Sequence, residues 1–230
     1  MIFQTLVLDL SILGILLFIA GIVFSIAFHE FAHAKSAQML GDPTPEYQGR
    51  VTLNPLAHLD PIGTIALFFG PMGWGKPVQV NPNNMGAYPE RKYFVTSLAG
   101  PVSNLFLALV LFIIMFIMVN VMKSSGTNIV TIVNNEYFRV IVYLFQLNIA
   151  LAIFNLIPIP PLDGSKIWGV LLSYDQRITY ERFINRYNIL LLILLVAPII
   201  PSSTGATSIA SIVTSPIISF IFNTFFGLIF

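Results

Sequence analysis

The chain has 230 residues, 56% of them hydrophobic and only 9% charged, where a soluble globular domain carries roughly 25% charged residues. That excludes an ordinary soluble core and fits an integral membrane protein with one embedded domain. A net charge of +1 gives no grip on nucleic acid, and the absence of cysteine excludes disulfides and thiolate metal sites, leaving His, Asp and Glu as the metal ligands available.

Leu6 to about Leu40 is expected to form one long helix whose first ~20 residues suffice to cross hydrocarbon. The run lacks a basic leader and carries a polar motif at its end, so it reads as retained and not as a cleaved signal. Gly14, Gly21 and Ser25 give it a small-residue side for close helix packing, and Asp9 reads as an interfacial charge. Leu10 to Phe28 holds no charged residue, and then His29-Glu30-Phe31-Ala32-His33 follows. On a helix, His29 and His33 lie one turn apart on one face, a spacing that lets two imidazoles bind one tetrahedral metal, usually zinc. Glu30, about 100° round from His29, can address water at that metal without being a ligand. In soluble helices the same string is often only a polar face. Beside lipid-length apolar sequence, burying these groups is costly unless a partner such as zinc compensates. Leu40-Gly41-Asp42-Pro43 stops the helix.

Residues 42–92 are the least regular. Gly49–Asn54 and Lys76–Asn81 alternate weakly and predict two short strands, with an apolar Ile62–Met72 between them too short to span. This is expected to be a membrane-associated hairpin or re-entrant segment, because unpaired backbone cannot face lipid. One strand edge could accept an extended peptide, or the hairpin could be purely structural. The second span lies within Tyr93 to Met122. It opens with Ser97-Leu98-Ala99-Gly100-Pro101-Val102-Ser103-Asn104, where Pro101 suits a first helical turn and Gly100 allows a tight approach, and Asn104 reads as an amide bonding a neighbouring helix. Phe138 to Ile157 is the third span, with Gln146, Asn148 and Asn155 as polar members. Its end, Asn155-Leu156-Ile157-Pro158-Ile159-Pro160-Pro161-Leu162-Asp163-Gly164, cannot stay helical through its prolines. A short helix is expected from Asp163 to about Leu172, and two further spans at Asn188–Pro198 and Ile209–Ile229.

The predicted fold is thus all-α and polytopic, with about five transmembrane helices: a core over about 6–172 and accessory helices over about 180–230. Basic residues crowd the loops after the first and third spans, which the positive-inside rule places in the cytoplasm. The N-terminus is then outside, the C-terminus inside, and Asp163 on the same side as His29 and His33. Asp163 is either the N-cap of the following helix or the missing third ligand. Its membrane side, the proline-broken cavity before it and the lack of cysteine favour the ligand. His58 is the rival, in a segment that otherwise reads as a turn.

His29-Glu30-Phe31-Ala32-His33 together with Asn155 to Gly164 resembles the site-2 protease family of intramembrane zinc metalloproteases. Leu53-Asn54-Pro55-Leu56-Ala57-His58-Leu59-Asp60-Pro61-Ile62-Gly63 and Ala99-Gly100-Pro101-Val102-Ser103-Asn104 resemble its short bacterial branch, without PDZ or CBS domains. The resemblance implies one zinc on His29, His33 and Asp163, Glu30 as general base and acid, and Asn155 with Asn104 as substrate or oxyanion support. For His58 it supports the segment and not a ligand role. The function implied is hydrolysis of peptide bonds in transmembrane or membrane-associated substrates, in a cell membrane, with the site toward the cytoplasm. The alternative is a metal-ion transporter using the same His/His/Asp site, which would need no carboxylate beside the metal and would show repeated halves.

Overall fold

The computed structural model describes residues 10–60, 75–198, 200–202 and 205–229. The helices are α1 (Ile12–Met39), α2 (Thr44–Tyr47), α3 (Pro89–Ser124), α4 (Ile129–Asn134), α5 (Glu136–Asn155), α6 (Gly164–Leu171), α7 (Tyr174–Val196) and α8 (Ile209–Gly227). A small antiparallel pair, β1 (Ile200–Ser202) and β2 (Gly205–Thr207), joins α7 to α8. Among the described residues, four helices, α1, α3, α5 and α8, are long and apolar enough to cross a membrane.

α1 starts where Ser11 Oγ accepts the Gly14 amide at 3.2 Å. It stops at Gly41, whose φ of 103° lets the chain turn back so that the Asp42 amide reaches Ala37 O at 2.9 Å. α3 begins at Pro89, about two turns before Ser97, so Pro101 lies inside the helix and not in its first turn. Membrane helices tolerate such a proline where neighbouring groups satisfy the freed backbone.

Three pairs set the directions. Ser11 Oγ donates to Glu136 Oε1 at 2.6 Å, Gly21 backs onto Leu144, and Asn148 Nδ2 donates to Ser25 Oγ at 2.9 Å, so α1 and α5 run parallel. α3 runs against both, since His33 meets Thr96 while His29 meets Asn104. α8 runs against α5, with Phe145 beside Phe222 and Phe138 beside Phe226, each at 6.4 Å between ring centroids. Phe138, Phe145, Ile149, Met115 and Val119 form the largest apolar core. The exterior is apolar as well: Ile12 is 79% and Phe220 72% exposed, whereas Asn104 and Asn148 are fully buried. Polar groups inside and aliphatic ones outside is the arrangement lipid selects.

Two expectations are corrected. The strands at 49–54 and 76–81 do not form. Asn54 Oδ1 caps a 3₁₀ turn, Pro55–Ala57, and the chain either side of 61–74 meets through a bridge between Leu59 and Gly75, the Lys76 amide bonding His58 O at 2.7 Å and Arg50 Nη1 donating to Lys76 O at 3.3 Å, not through a strand ladder. Proline at 55, 77 and 82 removes ladder donors, and the Asn54 and Asn81 side chains claim backbone amides instead. The apolar stretch 62–72 lies outside the described residues. The fourth expected span, Asn188–Pro198, belongs to α7, which is polar through its first half, with Asp175, Arg177, Glu181, Arg182 and Arg186. It lies along one end of the bundle: Arg177 pairs with Glu90 at 2.8 Å, Tyr180 Oη donates to Pro158 O at 3.1 Å, and Leu195 packs in a cluster with Leu162 and Ala210. α8 therefore starts at that end and finishes at the other, where Lys123 Nζ reaches Ile229 O at 3.3 Å. The end of α8 and the start of α1 both lie at the end of the bundle where α5 begins.

Candidate metal centre

At the C-terminal ends of the parallel α1 and α5, His29, His33 and Asp163 come together. His29 and His33 sit one turn apart on α1, and their Nε2 atoms approach to 3.1 Å. Asp163 Oδ2 lies 3.1 Å from His29 Nε2 and 3.0 Å from His33 Nε2. All three residues are buried, and one ligand atom from each lies within 4.8 Å of the others. Asp163 does not cap α6, since its carboxylate makes no bond to the first-turn amides.

The donor set fits a metal. His33 Nδ1 lies 2.7 Å from Thr96 O, a carbonyl that can only accept, so the ring proton sits on Nδ1. The Nε2 lone pair then faces a second imidazole and a carboxylate at hydrogen-bond distance. A zinc ion is the natural occupant of two imidazole nitrogens and a carboxylate oxygen.

Two glycines make the approach possible. A β-carbon on Gly100 would overlap His33 Nε2 and lie 2.6 Å from His29 Cε1, so α3 can pass the imidazoles only without a side chain there. A β-carbon on Gly164 would overlap the carbonyl oxygens of Leu156 and Ile157, which lets the proline-broken loop fold tightly enough to present Asp163. Glu30 is half-buried on the same turn as His29, and its Oε2 accepts the Val78 amide at 3.1 Å.

The sequence model of peptidase family M50 matches residues 17–197. The chain belongs to peptidase family M50. The resemblance to site-2 proteases is therefore correct, and zinc is the cofactor that family uses here. The chain is 36% identical over 182 residues to "Putative zinc metalloprotease YwhC" of Bacillus subtilis, covering 77% of this chain and 79% of that protein. It is 33% identical over 162 residues to "Putative zinc metalloprotease Rip2" of Mycolicibacterium smegmatis, covering 67% of this chain and 57% of that one. The corresponding Mycobacterium tuberculosis protein is 30% identical over 152 residues, 64% of this chain and 53% of its own length. The chain thus spans little more than half of the mycobacterial relatives. No solved structure matches.

Against this M50 frame, the other expected site residues fall in different places. Asn104 is fully buried, and both its polar atoms are engaged, Oδ1 with His29 Nδ1 at 2.7 Å and Nδ2 with Asn148 Oδ1 at 3.0 Å. It stands behind the metal-facing imidazole and is not exposed to a substrate. Asn155 Nδ2 bonds Leu151 O of its own helix at 3.0 Å. His58 is not part of the cluster; its Nε2 lies 2.8 Å from Thr52 O, holding the loop that also carries Arg50 against Ala57 O. Thr96 O and the Val78 amide carry no signal in the sequence, whereas the close approach expected of Gly100 is made to His33 and His29, partners its position alone does not name. Backbone atoms carry no side-chain signature, and Gly100 in a membrane helix reads equally well as packing.

Proposed function

We propose that this chain is an intramembrane zinc endopeptidase acting on transmembrane or membrane-associated protein substrates, with one zinc ion held by His29, His33 and Asp163. The observation that carries the reading is the convergence of two Nε2 atoms and a carboxylate oxygen in a buried site, with Glu30 adjacent, in a chain of a peptidase family. When bound, zinc supplies Lewis-acid activation of water and of the scissile carbonyl. Glu30 takes the proton from the attacking water and returns it to the leaving amine. Its Oε2 is already held by the Val78 amide, which aims the carboxylate and keeps the loop 75–81 beside the site. That loop is extended and offers backbone groups to an unwound substrate segment. A cleft of about 380 Å³, lined by Pro77, Tyr93, Pro160, Lys166 and Ile184 among others, leads past the Asp163 loop. Asn155 supports the substrate backbone or oxyanion. His58 serves the loop and not the metal. The metal-transport alternative lacks support from family membership.

Residues 1–230 form one membrane-embedded unit, with the site end facing the cytoplasm. Lys35, Arg50, Lys76, Arg91, Lys92, Lys166, Arg177, Arg182 and Arg186 lie toward that end, and only Lys123 and Arg139 toward the other. That asymmetry satisfies the positive-inside rule. The start of α1 and the end of α8 then both face outside.

The test is cleavage of a membrane-anchored reporter in zinc-loaded proteoliposomes. Glu30→Gln is expected to lower the rate at least ~10²-fold, the scale of a lost general base, while zinc content stays at one per chain. Chelation should abolish the wild-type activity, and zinc should restore it. An unchanged rate in Glu30→Gln would refute the mechanism.

A further inference from the structure

Asn104 presents either its oxygen or its nitrogen to His29, and which one decides the histidine's tautomer. The choice can be traced through the bundle. Asn148 Nδ2 lies 2.9 Å from Leu144 O, a carbonyl that accepts only. That fixes Asn148 with its nitrogen toward Leu144 and Ser25 and its oxygen toward Asn104. Asn104 must then answer with Nδ2, at 3.0 Å, which leaves its Oδ1 on His29 Nδ1 at 2.7 Å. His29 therefore carries its proton on Nδ1, and its Nε2 is bare toward His33 and Asp163. Ser25 closes the chain: Asn148 Nδ2 donates to its Oγ at 2.9 Å, while Ser25 Oγ donates to Gly21 O at 2.8 Å. Both asparagines are fully buried and Ser25 nearly so, so water does not compete for these atoms.

We propose that Asn148, acting through Asn104, is a positioning residue that holds His29 in the metal-binding tautomer. The relay spans all three central helices, Ser25 and His29 on α1, Asn104 on α3 and Asn148 on α5. Packing of the bundle is thereby coupled to the chemical state of a ligand. The inference rests on the reading of His29 as a metal ligand. Groups that orient a ligand histidine through its second nitrogen typically change metal affinity 10–100-fold when lost. Asn148→Leu removes the acceptor that Asn104 Nδ2 needs and frees Asn104 to turn its nitrogen toward His29. Asn104→Asp combined with Asn148→Leu removes the ambiguity, because either carboxylate oxygen accepts from His29 Nδ1 and Asn148 Oδ1 no longer opposes the other.

The test is zinc affinity of purified, detergent-solubilised full-length protein, by competition with a chromogenic chelator. The wild type should bind one zinc, and His29→Ala should lose at least ~100-fold; if either fails, the ligand reading itself is wrong. Asn148→Leu should bind ~10–100-fold more weakly. The double variant Asn104→Asp/Asn148→Leu, in which no acceptor opposes the second carboxylate oxygen, should recover to within a few-fold of the wild type. A purely structural role for Asn148 would leave the double variant as weak as the single. That result, or an unchanged affinity in Asn148→Leu with His29→Ala defective, overturns the relay alone. Should Asn148→Leu not accumulate, Asn148→Ala removes the same acceptor and is expected to bind zinc ~10–100-fold more weakly; an unchanged affinity there overturns the proposal equally.

Discussion

Asp42 does at the edge of the membrane what His29 and His33 do inside it: one ionisable side chain organises a set of backbone groups. Fully buried, its carboxylate accepts the Thr44 hydroxyl at 2.6 Å, the Asn81 amide at 2.6 Å and Asn84 Nδ2 at 2.8 Å. The loop after α1 is thereby pinned to the segment that enters α3. Desolvation pushes its pKa up, but the hydrogen bonds from Thr44, Asn84 and Asn81 outweigh it and hold the carboxyl below its usual value. The folded state therefore prefers the ionised form more than the unfolded chain does. The stability this adds is present above about pH 4, the unfolded value, and is lost as pH falls from there through the folded value. Thermal unfolding followed from pH 6 to pH 3 should show this loss, and Asp42→Ala should be less stable at pH 6 by about 1–3 kcal/mol, with a flatter dependence at acid pH. An equal acid dependence in the variant would remove Asp42 as its source. The importance of Asp42 was hidden in the sequence, where Gly41-Asp42-Pro43 reads only as a helix stop.

Between α5 and α6, the segment 156–163 converts a helix end into a ligand. Three prolines end the helix, the Leu162 amide bonds Ile159 O at 3.0 Å, and Ser165 Oγ donates to Leu162 O at 2.7 Å. Trp168 Nε1 and Tyr180 Oη reach back to Leu156 O and Pro158 O, both at 3.1 Å, so α6 and α7 brace the turn from outside. Gly164 is the point where the turn allows no side chain, since the obstacles to a β-carbon are backbone carbonyls that cannot step aside. Gly164→Ala should displace Asp163 and lower zinc content well below one per chain, while the helices keep their circular-dichroism signal. Full zinc occupancy in that variant would show that the loop tolerates the shift. The prolines and the aspartate were legible from residue types alone. The bracing by α7 was not, because its apolar second half reads as a membrane span when taken without its partners.

At the scale of the whole molecule, four apolar helices place both ends of the described bundle on one side, with the metal-ligand cluster, α7 and the β1–β2 turn on the other. The chain contains no cysteine, so single cysteines are clean reporters. Cysteines at Ser125 and Leu228 should react with an impermeant maleimide from one face of intact cells, and cysteines at Gln48 and Tyr174 only from the other. Labelling of Leu228→Cys together with Gln48→Cys would restore the five-span arrangement. The sequence by itself determined that this is a membrane protein, that any metal must sit on His and carboxylate, and that His29, His33 and Asp163 are the candidates. Each of those conclusions follows from local composition or from a spacing of one helical turn. Only the tertiary structure decided that α7 stays at one end, that Asp163 faces the imidazoles and does not cap α6, and that Asn104 stands behind His29. Those outcomes depend on contacts between residues as many as 130 positions apart, and such contacts are set by how helices pack, which no local pattern records.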